Sequence, residues 1–116
     1  MMIQARTSEI VIPSGQALSP GINIEGYELL AIQMPAAWDA ANISFRAAST
    51  ISGVYQDLYN DGGNEVAVAA AANRCIAVAA AAMSLAPLQF IQIRSGSAGT
   101  PVNQTASRTL TLILKK

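Results

Sequence analysis

The sequence contains no histidine and a single cysteine, Cys75. Without histidine, the Ser-His-Asp and Cys-His arrangements of nucleophilic catalysis cannot be assembled, and zinc and iron sites lose their commonest ligand. One cysteine cannot close an internal disulfide, and its simplest reading is a small core residue. Charge is scarce: Asp, Glu, Lys and Arg make up 12% of the 116 residues and sum to zero, against an ordinary share of about 25%. The seven Lys and Arg are scattered from Arg6 to Lys116, so no basic stripe follows a phosphate backbone and nucleic acid is not an expected partner.

Two further absences narrow the field. The N-terminal stretch MMIQARTSEIVI breaks its apolar residues with Gln4, Arg6, Ser8 and Glu9, which is not the continuous run of a secretion signal. The alanine-rich stretch from Val66 to Ala82 carries Asn73 and Arg74 at its middle, and a central Arg costs roughly 2.5 to 3.5 kcal/mol on membrane-insertion scales. A soluble protein made in a cytoplasm, with no membrane partner, is expected. No Gly-rich phosphate loop of the GxxxxGK kind occurs either, and no cofactor is expected.

What the chain does contain is alternation. In YELLAIQM, Leu30, Ile32 and Met34 share a face; in NISFRA, Ile43, Phe45 and Ala47 oppose Asn42, Ser44 and Arg46. Ile91 and Ile93 alternate with Phe90, Gln92 and Arg94, and Leu110, Leu112 and Leu114 stand opposite Thr109 and Thr111. Period two is the strand period, and turn formers at Pro13-Ser14-Gly15, Ser19-Pro20-Gly21 and Asp61-Gly62-Gly63 separate the runs. These features predict an all-β fold: a single-domain antiparallel β-sandwich, jelly-roll-like, over residues 1–116, with residues 1–25 as a candidate N-terminal arm. Phe45, Ile43, Leu30, Ile32, Ile91, Ile93, Leu110 and Leu112 are its predicted core.

The stretch VAVAAAANRCIAVAAAA needs a separate argument. As a helix, at about 100° per residue, it would point Val66, Val68, Ile76 and Val78 in all directions and bury no stripe. As a hairpin it places Val66 with Val68 and Ile76 with Val78, with Asn73-Arg74 near the bend. The hairpin is the expectation, although alanine favours helices and is depleted in strands. A smooth surface of small residues that admits a close neighbour is one use for it; a thin lining of the core or a loop is the other.

Chemistry-bearing clusters are few. DLYNDGGNE gathers Asp57, Asp61 and Glu65, but it lacks the alternating ligand spacing and the twelfth-position glutamate of a calcium loop. Nothing nearby raises one carboxyl pKa for glycoside hydrolysis, and a turn around Asp61-Gly62-Gly63 explains the cluster better. No catalytic residue and no metal ligand is therefore predicted. Trp38, beside Tyr55 and Tyr59, could stack on a sugar ring, which would make the chain a carbohydrate-binding module; the plainer reading has Trp38 sealing one end of the sandwich. The most distinctive segment is RSGSAGTPVNQTASR, in which Arg94 and Arg108 bracket a Gly- and Ser-rich excursion. Held out by a rigid sheet it would be a contact arm, whereas Asn103 and Gln104 could equally satisfy backbone groups within the loop.

WDAANISFRAASTISGVYQDLYNDGGNEVAV followed by LQFIQIRSGSAGTPVNQTASRTLTLIL resembles a family of small virion proteins encoded in tailed-phage structural gene clusters. The similarity covers about residues 26 to 114 and lies in the order of its elements: the Trp, the ISF strand, GVYQDLY, a Gly turn, IRSG, PVNQ and RTLTL. The alanine-rich segment is poorer in polar residues than that pattern. The resemblance implies a non-enzymatic structural protein of the virion, a capsid decoration or other head-associated protein. Its partners would be copies of itself, as a trimer or other homo-oligomer, and the major capsid or another virion protein. The residues expected at such contacts are Ala70, Ala72, Ala80, Ser97, Thr100, Pro101, Asn103 and Gln104.

Overall fold

The period-two runs fold as strands, and the computed structural model, which describes residues 5–78 and 88–115, contains no helix within them. In chain order the strands are β1 (Ala5–Ile12), β2 (Ile22–Asn23), β3 (Glu28–Gln33), β4 (Ile43–Ala48), β5 (Gln56–Asp57), β6 (Ala67–Val68), β7 (Cys75–Ala77), β8 (Phe90–Ser95) and β9 (Arg108–Lys115). They form two antiparallel sheets. One has the order β1-β9-β3-β7; the other runs β2-β8-β4, and β5 and β6 share the remaining edge of β4. The inner faces meet in one core.

Cross-strand rows show how that core is built. Ser8, Leu112, Ile32 and Ile76 lie in register across the first sheet, next to the pair Ile10 and Leu110. On the second sheet Phe45 is opposite Ile93, and Ala47 is opposite Ile91. Ile32, Ile43, Phe45, Ile91, Ile93, Leu110 and Leu112 are all fully buried, as the alternation predicts. Such residues stabilise the fold by about 1.5 to 3 kcal/mol each through burial.

Leu30 is the exception among the predicted core residues. It is 38% exposed while its neighbour Leu29 is fully buried. The cause is a bulge: Leu29 is opposite Leu114 and Ala31 is opposite Ile113, so Leu30 is an extra residue with no partner on β9. An inserted residue shifts the alternation by one, and Leu29 takes the inward place.

Three other expectations are corrected. Residues 5–25 do not form a detached arm: β1 pairs with β9 along its whole length, and β2 pairs with β8, so this stretch supplies an edge to each sheet. The alanine-rich stretch is not a hairpin, because β6 pairs with β4 of the second sheet and β7 with β3 of the first. Each arm instead closes an open strand of a different sheet. Between them Asn73 adopts a left-handed conformation (φ 59°), and its N–H donates to the Pro35 carbonyl at 3.0 Å. Val66 and Val78 are buried at either side of this crossing. Finally, Cys75 is exposed. Its neighbour Ile76 packs against the core, and the strand period turns Cys75 and Ala77 outward.

Candidate functional site

The segment between β8 and β9 folds back on itself. Ser97 and Thr100 exchange backbone hydrogen bonds at 3.2 Å, Gly96 bridges Pro101, and the Val102 N–H donates to the Ser95 carbonyl at 2.8 Å. Gly96 has φ 95°, and a Cβ there would lie 2.5 Å from the Thr100 carbonyl oxygen and 2.8 Å from the Val102 nitrogen. Only glycine fits both the angle and the space. The excursion is therefore a tight secondary hairpin, with Thr100, Pro101 and Asn103 exposed and Ser97 half-buried.

Gln104 is fully buried and joins three segments. Its side-chain oxygen accepts from the Asp39 N–H at 2.8 Å and from Arg108 Nε at 3.1 Å. Its amide nitrogen donates to the Asp39 carbonyl at 3.1 Å and to Ser95 Oγ at 2.7 Å. Every hydrogen-bonding position of the amide is thus used within the chain, as a buried amide requires. Arg108 also donates to Asp39 Oδ1 at 2.6 Å. That hydrogen bond holds the Asp39 carboxyl below its ordinary value, with smaller help from Thr105 against a desolvation that acts the other way.

The second arginine of the pair anchors the opposite flank. Arg94 points away from the core yet is only 6% exposed. Its Nε donates to Ser44 Oγ at 2.9 Å, and its terminal nitrogens to Asp57 at 2.6 Å and Glu65 at 2.7 Å. The turn that brings these carboxylates together is the one expected: Asn60 N–H donates to the Asn64 carbonyl at 2.8 Å, Tyr59 bridges Glu65, and Gly63 has φ 83°. Glu65 also accepts from the Ala98 N–H at 2.9 Å, and the Ser44 hydroxyl donates to the Gly96 carbonyl at 2.7 Å. Arg46 lies 3.4 Å from Asp57 and donates to the Tyr55 carbonyl. Asp57 and Glu65 thus both pair with Arg94, Asp57 with Arg46 as well, and among the described residues no group of three or more His, Cys, Asp or Glu side chains could hold a metal ion.

Asn42 brings the two candidate contact segments together. Its carbonyl accepts from the Gly96 N–H at 2.7 Å, and its side-chain oxygen accepts from the Ala70 N–H at 3.4 Å. Ala70 and Ala72 are half-buried; Ala80 lies outside the described residues. The aromatic residues do not make a platform. Trp38 is packed against the core and donates to the Ala41 carbonyl at 3.0 Å. Tyr55 is buried, its hydroxyl donating to the Ile51 carbonyl at 2.8 Å, and burial raises its pKa. Tyr59 is left exposed by itself. A shallow groove of about 530 Å³ is lined by Ala47, Ala48, Ser49, Val54, Gln56, Leu88 and Gln89, with no ionisable side chain.

The architecture has a counterpart among solved structures. It resembles a prophage protein. Superposed on the crystal structure of the SPBc2 prophage-derived protein YomS, the chain gives a TM-score of 0.56 at 11% identity, covering 100% of this chain and 98% of that one. The two share a fold from end to end. No protein-family model matches the chain, and no curated protein matches it in sequence.

The hub made by Arg94 was not foreseen in the sequence. An arginine on a strand of a charge-poor chain, with carboxylates on both sides of a Gly turn, was the available signal.

Proposed function

We propose that this chain is a non-enzymatic structural protein of a tailed-phage virion, a capsid decoration or other head-associated protein that acts by self-association and by binding the shell. The observation that carries the reading is the end-to-end likeness to a prophage-derived protein, which agrees with the order of elements from Trp38 to the RTLTL strand. The site geometry supports it. Arg94 and Arg108 brace the base of a loop whose exposed tip, Thr100, Pro101 and Asn103, carries no charge. A rigid base with an uncharged tip suits packing against a protein surface, since little entropy is lost and no ion is desolvated.

The test is composition of the particle. Purified virions should contain the chain in many copies per head, and antibody labelling should place it on the shell. Thr100→Glu with Asn103→Glu, both at exposed positions, should leave the chain folded and lower its occupancy on the particle. Absence of the chain from purified virions overturns the reading.

A further inference from the structure

Among the described residues, three of the four sheet edges are short. β2, β5 and β6 have two residues each and β7 has three. The fourth edge is β1, with eight residues in unbroken register against β9, a row of roughly 27 Å. Sheet edges are normally blunted by shortness, bulges, proline or lysine, because unpaired N–H and C=O groups invite another strand. β1 is neither short nor bulged and holds no proline or lysine, its charged residues being Arg6 and Glu9. Alternate residues of an edge strand turn their backbone groups away from the sheet, and among the described residues β1 makes no backbone hydrogen bond outside the ladder with β9.

We propose that β1 is a self-pairing edge: two copies of this chain join β1 to β1 antiparallel about a two-fold axis at Ser8, fusing their first sheets into one. The inference rests on the self-association reading above. It commits to a second copy because the strand is complementary to itself. A two-fold axis normal to the sheet pairs residues that face the same side, so the allowed registers centre on a residue. Centred on Ser8, Thr7 is opposite Glu9 of the other copy, and the reverse pair forms with it. Both side chains are exposed, and neither has a hydrogen bond or ion pair within the described residues. A register centred on Glu9 would set two carboxylates face to face, which opposes pairing.

Solution mass as a function of concentration is the first measurement, and it should show the parent chain as a dimer or an even-numbered assembly of dimers. Thr7→Asp places a second carboxylate opposite Glu9 twice per dimer and should weaken association about tenfold or more, while circular dichroism stays that of the parent. Adding Glu9→Lys to that variant should restore the dimer, because Asp and Lys then alternate across the axis. In a Cys75→Ser background, Ser8→Cys should cross-link to its own copy, since opposed residues lie within disulfide reach. Val11→Cys should not, its two copies being roughly 20 Å apart. A parent that is monomeric at every concentration overturns the self-association reading itself. An oligomer whose mass ignores Thr7→Asp, or one that cross-links through Val11→Cys rather than Ser8→Cys, overturns the β1 edge alone.

Discussion

The two sheets treat their outer faces differently. On the first, Thr7, Glu9, Val11, Leu30, Gln33 and Cys75 are exposed, as the outward half of an alternating pattern should be. On the second, Ser44 and Arg94 also point away from the core, yet both are buried, hydrogen-bonded to Asp57, Glu65 and the hairpin at residues 96–101. Among the described residues the first sheet carries no such hydrogen-bonded layer on its outer face, whereas the second carries a charged, hydrogen-bonded layer on its back. An alternating sequence therefore distinguishes inside from outside only where nothing folds over the outside.

The largest effect is expected where the sheets meet. Phe45→Ala should lower unfolding free energy by about 3 to 5 kcal/mol, measured by denaturant melts, and a loss below 1 kcal/mol would mean that the cores of the two sheets are not one unit. Next comes the bulge: Leu29→Ala should cost about 2 to 4 kcal/mol and Leu30→Ala less than about 0.5. Equal losses would remove the bulge and restore simple alternation to the first sheet.

Arg94→Met tests the back of the second sheet. It leaves Glu65 with the Ala98 N–H but no cation and Asp57 with Arg46 alone, and with Asp57 partly solvated the cost should be about 2 to 3 kcal/mol in melts near neutral pH. A neutral result would make the two outer faces alike. The smallest effect belongs to Asp39. Its folded pKa lies below the ordinary value of 3.8, so its contribution is present above pH 3.8 and is lost as pH falls through the folded value. Asp39→Asn should remove that part of the acid transition, read as a shallower loss of melting temperature below pH 3.8.

Fold class was legible because Ile43, Phe45, Ile91, Ile93, Leu110 and Leu112 repeat at the strand period, and the turn at Asp61-Gly62-Gly63 was legible from its glycines. What was hidden depends on partners distant in the chain. Nothing local separates Leu29 from Leu30 until β9 sets the register. Val66 and Ile76 look like two arms of one hairpin until β4 and β3 offer open edges in different sheets. Cys75 was assigned to the core by residue type, although its place beside Ile76 already turned it outward. Arg94 and Gln104 took their roles from carboxylates, a hydroxyl and a backbone carbonyl 9 to 65 positions away, a separation that local periodicity does not report. The stretch from Ser97 to Gln104 was legible as a loop, but not that Asn42 would draw Ala70 and Gly96 to one spot.

The pairing of β1 with β9 also governs how the molecule would bear load. Ala5 is opposite Lys115, so chain entering the first strand and chain leaving the last pass through the same corner of the sandwich. Force applied through both would peel the ladder open one residue pair at a time instead of shearing all eight at once. The seam would yield to a modest pull there, while tension applied across the strands' opposite ends would meet the whole ladder together. Any tether to a larger assembly through these two strands would thus leave from a single point and swivel about it.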